Sequence, residues 1–243
     1  MTDSILRIEG VGRRFGGLQA LNDVSFSVPA GIAMGIIGPN GSGKTTLFEI
    51  VSGAQQPTSG RVYFRDQDVT RLSAHERCAL GIARTFQMVE TLSQMSVFEN
   101  VLVGAMLRHS GMAARRRVDE LLERQGLADR AHRTAAELSA SELRRLDVAR
   151  ALATDPSLLL LDEPLAGLSD EEIGRTFATL RELRSAGLTI VMVEHRLEAM
   201  FGFVSQVAAL DVGELIATGL PEEVQANERV VASYLGTEAS DDD

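Results

Sequence analysis

The chain has 243 residues, 44% hydrophobic and 24% charged, with 34 Asp and Glu against 24 Lys and Arg for a formal charge of −10. Such a length and composition suit one folded unit with a real core and exclude a largely disordered chain. The acidic surplus argues against a protein whose task is to neutralise nucleic-acid phosphates, and no nucleic-acid partner is expected.

Cys78 is the only cysteine, which rules out an intrachain disulfide and a cysteine-built zinc site. Its side chain is expected to be a small buried apolar group. Met1 to Ile5 carry neither a basic start nor an apolar run, so no signal peptide is expected. No stretch approaches the roughly 18 consecutive apolar residues of a membrane span. Lys44 is the only lysine, and every other Lys/Arg position holds arginine.

In chain order, alternating polarity predicts strands at residues 6–9 and 24–28, and the apolar run Ala33 to Ile37 predicts a buried strand running into glycine. Arg61 to Phe64 follows a Pro-Thr-Ser-Gly turn and reads as a further strand. From about Val97 to Leu152 the pattern becomes helical, an expected insertion into the sheet. The apolar runs 158–161 and 188–193 flank an amphipathic stretch from Glu171 to Ser185, the spacing of a βαβ crossover and hence of a parallel sheet covered on both faces. A hairpin is predicted around Gly213, and residues 239–243 read as a frayed acidic tail.

Gly38-Pro39-Asn40-Gly41-Ser42-Gly43-Lys44-Thr45 fits the phosphate-loop pattern G-x-x-x-x-G-K-[ST], with a strand before it and a helical pattern from Thr46 after it. Glycines let backbone N–H groups converge on phosphate oxygens at a helix N-terminus. Lys44 would reach the β- and γ-phosphates, and the Thr45 hydroxyl would hold Mg²⁺. Downstream, Asp162-Glu163 closes the buried run 158–161, where open α/β sheets place their ligands. Asp162 is expected to bind Mg²⁺ and Glu163 to polarise the attacking water. Leu138-Ser139-Ala140-Ser141-Glu142 reads, on its residues alone, as a capping box with Ser139 and Glu142 ahead of a helix.

Phosphate loop, Arg84-Thr85-Phe86-Gln87, a Leu-Ser signature, Asp162-Glu163 and the late His195, in this order, resemble the nucleotide-binding subunits of ATP-binding-cassette (ABC) transporters over nearly the whole chain. The resemblance implies an α/β fold, a P-loop NTPase with a mostly parallel central sheet, an N-terminal antiparallel β-subdomain and an inserted helical subdomain of about 88–152. Residues 1–243 would form one cassette. It also implies ATP and Mg²⁺ as ligands, with Phe15 stacked on adenine, residues Gly38 through Thr46 around the phosphates, Gln87 sensing metal and water, and His195 at the γ-phosphate. Ser139 would meet the nucleotide of a second ATP-binding subunit in a head-to-tail dimer. Transmembrane permease subunits would hold the assembly on the cytoplasmic face of the membrane, and a solute-binding protein would act indirectly.

Within the family, Arg14 to Leu18, Gly81 to Gln87, Ser96 to Val101 and Val231 to Gly236 resemble ATPases of branched-chain amino-acid importers, with the lipopolysaccharide-export ATPase a near neighbour. Two positions depart from the pattern: Ser141 fills the second glycine of the signature, and Ala166-Gly167-Leu168-Ser169 replaces the usual Ser-Ala-Leu-Asp. Ser141 raises the alternative of a nucleotide-binding subunit with low hydrolysis, or of a pairing with a non-identical ATPase whose signature is intact.

Overall fold

The computed structural model describes residues 4–85 and 92–238. Its centre is a six-stranded sheet in the order β10-β9-β3-β8-β7-β6. It is formed by β3 (Ala33–Ile37), β6 (Ile82–Arg84), β7 (Leu158–Asp162), β8 (Thr189–Val193), β9 (Gln206–Asp211) and β10 (Glu214–Gly219). Every neighbouring pair is parallel except the β9–β10 hairpin. All residues of β3, β7 and β8 are buried, which is why these strands read as unbroken apolar runs.

The side chains of these strands divide between two cores by strict alternation. Leu159, Leu161, Ile190, Met192, Val207 and Ala209 face one core, while Leu158, Leu160, Val191, Val193, Ala208 and Leu210 face the other. At about 1.5–3 kcal/mol per fully buried aliphatic side chain, this double burial fixes the register of the sheet.

The second core is closed by α1 (Lys44–Ser52) and a four-stranded antiparallel sheet, order β2-β1-β4-β5, made of β1 (Ser4–Phe15), β2 (Leu18–Pro29), β4 (Ser59–Phe64) and β5 (Gln67–Asp68). Ile5, Leu6, Ile8, Val11, Leu21, Val24 and Val28 supply its buried side. Behind α1 lies α2 (Ala74–Leu80), whose Arg77 has no exposed surface. The Arg77 guanidinium donates to the carbonyls of Ile50, Val51, Leu72 and Thr70, two of them at the C-terminal end of α1, where a cation complements the helix dipole. Burial pulls its pKa down to about 10.

Cys78 is only partly buried, unlike the expectation from sequence. With Arg77 turned inward on a seven-residue helix, the next side chain falls at the helix edge, in a groove shared with Val103 and Leu107.

The first core is closed by helices. Between β6 and β7 the chain forms α3 (Val97–Ala105), α4 (Gly111–Arg124) and α5 (Ala140–Ala153), packed together through Val101, Ala105, Val118, Leu121, Leu122, Leu146 and Ala149. Further along come α6 (Asp170–Ser185), α7 (Leu197–Phe201), α8 (Pro221–Gln225) and α9 (Glu228–Glu238). Ser73, Ser96, Ser139 and Ser169 each cap a helix in a capping box with a glutamate three residues on.

Candidate nucleotide site

Parallel order brings the C-terminal ends of β3, β8 and β7 side by side, with Asp162 in register with Val193. The residues that leave those three ends are Gly38, Glu194 and Glu163. This edge is where the phosphate loop, the carboxylate pair and the histidine meet.

The loop from Gly38 to Gly43 enters α1 without a side-chain cap. Gly43 sits at φ +101°, and a Cβ there would lie 2.6 Å from the Ala20 carbonyl, so only glycine fits. Lys44 is 8% exposed, and its ammonium donates to the carbonyls of Gly38 at 2.6 Å and Pro39 at 2.8 Å. Burial lowers its pKa from the ordinary lysine value, opposed by the nearby charges of Glu163 and Asp162. The ammonium thus braces the loop from within while lying close to both carboxylates. Ser42 is 2% exposed, and its hydroxyl has no partner among the described residues.

A cleft opens in front of the loop, lined by Phe15, Asn40, Gly41, Ser42, Gly43, Lys44, Thr45, Thr46, Glu163 and His195 together with Leu18, Gln19, Ala20, Val193 and Val212. Gly38, Pro39 and Asp162 are buried beneath it. Phe15 is 41% exposed; the Arg13 guanidinium covers its ring at 4.4 Å and is itself anchored on Gln55 and the Gln56 carbonyl. One ring face is therefore taken by a cation, and a planar base would use the other.

His195 Nε2 stands 3.2 Å from Glu163 Oε1. Glu163 adopts φ +48°, unusual for a side-chain-bearing residue, and its backbone is pinned at both ends. Its N–H donates to the Val193 carbonyl at 3.0 Å, and its carbonyl accepts from the Arg144 guanidinium on α5. Asp162 Oδ2 accepts from Arg84 at 2.9 Å, and its backbone N–H donates to the Thr85 hydroxyl. A buried Glu194 accepts the Leu165 N–H at 2.6 Å; burial pushes its carboxyl pKa up, opposed by the N–H groups of Leu165, Arg196 and His195. Arg196 donates to the Leu168 carbonyl and to Asp170 at 2.7 Å. The loop 164–169 is thus tied from both sides of the histidine.

Ser139 stands apart from this cleft, at the start of α5. Its hydroxyl and N–H both bond Glu142, whose other oxygen accepts from Arg130 at 2.9 Å. These contacts hold the Glu142 pKa down at about 2. The Ser141 hydroxyl lies 3.4 Å from that of Ser139. Gln87 lies outside the described residues.

The sequence assigns no individual role to Arg84, Arg144, Glu194, Arg196 or Arg13, although Arg84 lies in the Arg84-Thr85-Phe86-Gln87 motif. The four Ser-x-x-Glu caps, by contrast, are visible as a local pattern in the sequence. Arg84, Arg144 and Arg196 carry no local signal, because each acts on an element far away in the chain, and Arg13 reaches Gln55 and Gln56 from the strand that also carries Phe15.

A family model described as ABC transporter matches residues 21–166, and one described as branched-chain amino acid ATP-binding cassette transporter matches residues 214–240. The high-affinity branched-chain amino acid transport ATP-binding protein LivG of Escherichia coli K12 is 34% identical, covering 97% of this chain and 99% of that protein. Among solved structures, a nucleotide-free ATP-binding cassette from an ABC transporter superposes with TM-score 0.87 at 32% identity, covering 95% of this chain and 98% of that one. A dimeric cassette, MJ0796 bound to ADP and Pi, gives 0.82 at 26% identity, covering 89% and 98%. Proteins of this kind pair as dimers and work with membrane permease subunits. No helix among the described residues is long and apolar enough to cross a membrane. The chain belongs to the ABC transporter family, as a nucleotide-binding subunit that hydrolyses ATP to power transport.

Proposed function

We propose that this chain powers import of branched-chain amino acids through separate permeases, fed by a solute-binding protein, from the cytoplasmic face of the membrane. Likeness to LivG over 97% of the chain, together with the matched stretch 214–240, supports that cargo. The alternative of lipopolysaccharide export is not favoured, since these relatives are named as branched-chain amino acid transport ATP-binding proteins. Residues 1–243 act as one cassette. The groove between α2, β6, α3 and α5, with Val103 50% and Leu107 51% exposed beside it, suits a permease helix.

The observation that carries the chemistry is Glu163 Oε1 at 3.2 Å from His195 Nε2, facing Lys44 across the cleft. Phe15 takes the adenine on the ring face opposite Arg13. Backbone N–H groups of residues 40–46 hold the phosphates, and Lys44 shifts from the Gly38 and Pro39 carbonyls toward the β- and γ-oxygens. Glu163 takes the proton of the attacking water, and His195, hydrogen-bonded to it, holds the γ-phosphate.

Asp162 and Thr45 fit a Mg²⁺ ion as hard oxygen donors, with Asp162 close enough to Lys44 to act on its charge. No cluster of three His, Cys, Asp or Glu side chains able to hold a metal exists among the described residues, so nucleotide phosphates would complete the coordination. Bound there, the ion would supply positive charge against the phosphate oxygens. By the family resemblance Gln87, outside the described residues, would sense metal and attacking water, and Ser139 would reach the nucleotide of the second subunit.

Ser141 favours a second reading for the dimer: this signature is weakened, and the working partner is a non-identical ATPase. Co-purified permeases and ATPases reconstituted in liposomes with their binding protein test the whole reading. Uptake of labelled leucine that stops with Glu163→Gln is expected; ATP hydrolysis without stimulation by loaded binding protein would reject the import assignment.

A further inference from the structure

The C-terminal helix touches the phosphate loop. Helix α9 packs against β9 and β10, and the hydroxyl of its Tyr234 accepts a hydrogen bond from the Gly38 N–H at 2.8 Å. Gly38 is the hinge between β3 and the loop. It sits at φ +150°, and a Cβ there would lie 2.2 Å from the Leu210 carbonyl of β9. Its own carbonyl accepts from the Lys44 ammonium at 2.6 Å.

Gly38 is therefore held at three points: against β9, by Tyr234 at its N–H, and by Lys44 at its C=O. Only the last of these must loosen when phosphate arrives, because the ammonium that braces the loop is the one that turns to the nucleotide. Tyr234 then becomes the remaining polar restraint on the hinge. Burial raises the phenol pKa, with the Gly38 bond opposing, so the hydroxyl stays neutral at physiological pH.

We propose that Tyr234 is a positioning residue for the phosphate loop, through which helix α9 and nucleotide occupancy are coupled. The inference rests on the nucleotide site described above and extends it to the C-terminal segment 214–240, whose matched family model concerns branched-chain amino-acid transporters. Coupling of this kind is reciprocal: what steadies α9 tightens nucleotide binding, and nucleotide steadies α9. A buried N–H that loses its acceptor disfavours the conformation that buries it.

The experiment uses the full chain and Tyr234→Phe, which keeps the ring and removes only the oxygen. Dissociation constants for MgADP and steady-state KM for MgATP are expected to rise about fivefold, the size of one neutral hydrogen bond, with kcat within about twofold of wild type. A bond that merely supports the fold would lower Tm of the nucleotide-free protein and leave both constants unchanged; that result overturns the proposal. If the variant does not fold, backbone hydrogen exchange in wild type decides. Slower exchange over residues 228–234 on adding MgADP supports the coupling, and unchanged exchange with nucleotide demonstrably bound overturns it. Lys44→Ala serves as the control, and wild type that binds no nucleotide would reject the site itself rather than the role of Tyr234.

Discussion

Helices α1 and α5 both start in short turns rich in glycine or serine, and their first turns are built in opposite ways. Ahead of α1 stands Gly43, with no side-chain cap, no acidic residue in the first turn and a lysine as first helical residue. Ahead of α5 stands Ser139, closed into a capping box with Glu142, which Arg130 holds from behind. The orphan N–H groups of α1 are left for a ligand, whereas α5 satisfies part of its own and sets a carboxylate at the positive end of its dipole. A helix N-terminus binds phosphate when the chain withholds its own anion. On this contrast α1 is the ready side, open to a phosphate, whereas in the proposed dimer α5 would meet one only if a second subunit delivered it.

Two substitutions probe the ready side. Glu163→Gln removes the proposed base while keeping the shape and leaves Lys44 and the loop intact. Turnover at saturating MgATP should fall by about 10² or more, the usual weight of a general base, with nucleotide affinity retained and an ATP-bound dimer trapped. A wild-type rate in this variant would remove Glu163 from its role. Lys44→Ala deletes the brace of the loop together with its charge. Affinity for MgATP should fall at least about tenfold by titration, and an unchanged Kd would show that backbone N–H groups alone hold the phosphates.

Much of the ready side is legible in the sequence because its chemistry is local. Gly38 to Thr45 is contiguous, its strand is an apolar run, and Asp162-Glu163 closes a second run that must lie nearby in a parallel sheet. The other residues act at a distance. Arg144 reaches the Glu163 carbonyl from α5, Arg84 reaches Asp162 from a neighbouring strand, and Tyr234 reaches Gly38 from the last helix. In a chain where arginine stands at every cationic position but Lys44, composition cannot single out which arginines fold inward. Cys78 shows the same limit, since its partial exposure follows from the neighbouring Arg77 rather than from its own polarity.

On the closed side, Ser141 is the position where the signature usually offers a bare backbone. Its hydroxyl and Cβ lie at the mouth of the α5 first turn, next to Ser139. Ser141→Gly, assayed together with its partner subunits, should raise ATP turnover several-fold if the side chain crowds a phosphate delivered across the dimer. Equal rates before and after would sink the weakened-signature reading and with it the argument for a non-identical partner.

The smallest effect concerns Glu142, and it separates the capping role of the carboxylate from its charge. Its folded-state pKa of about 2 lies below the ordinary glutamate value of 4.5, so Glu142 contributes stability that is fully present above pH about 4.5 and is lost as pH falls toward 2. The largest cause is the Ser139 N–H, followed by Arg130, contacts that vanish on unfolding. Glu142→Gln keeps a carbonyl oxygen for the Ser139 N–H but removes the charge. The difference in Tm between wild type and this variant should be greatest near pH 7 and should shrink as pH drops from about 5 toward 3. A difference that stays constant over that range would mean that neutral capping geometry alone supports α5. In that case the contrast with α1 would rest on the serine cap, and the carboxylate would not be what keeps phosphate away.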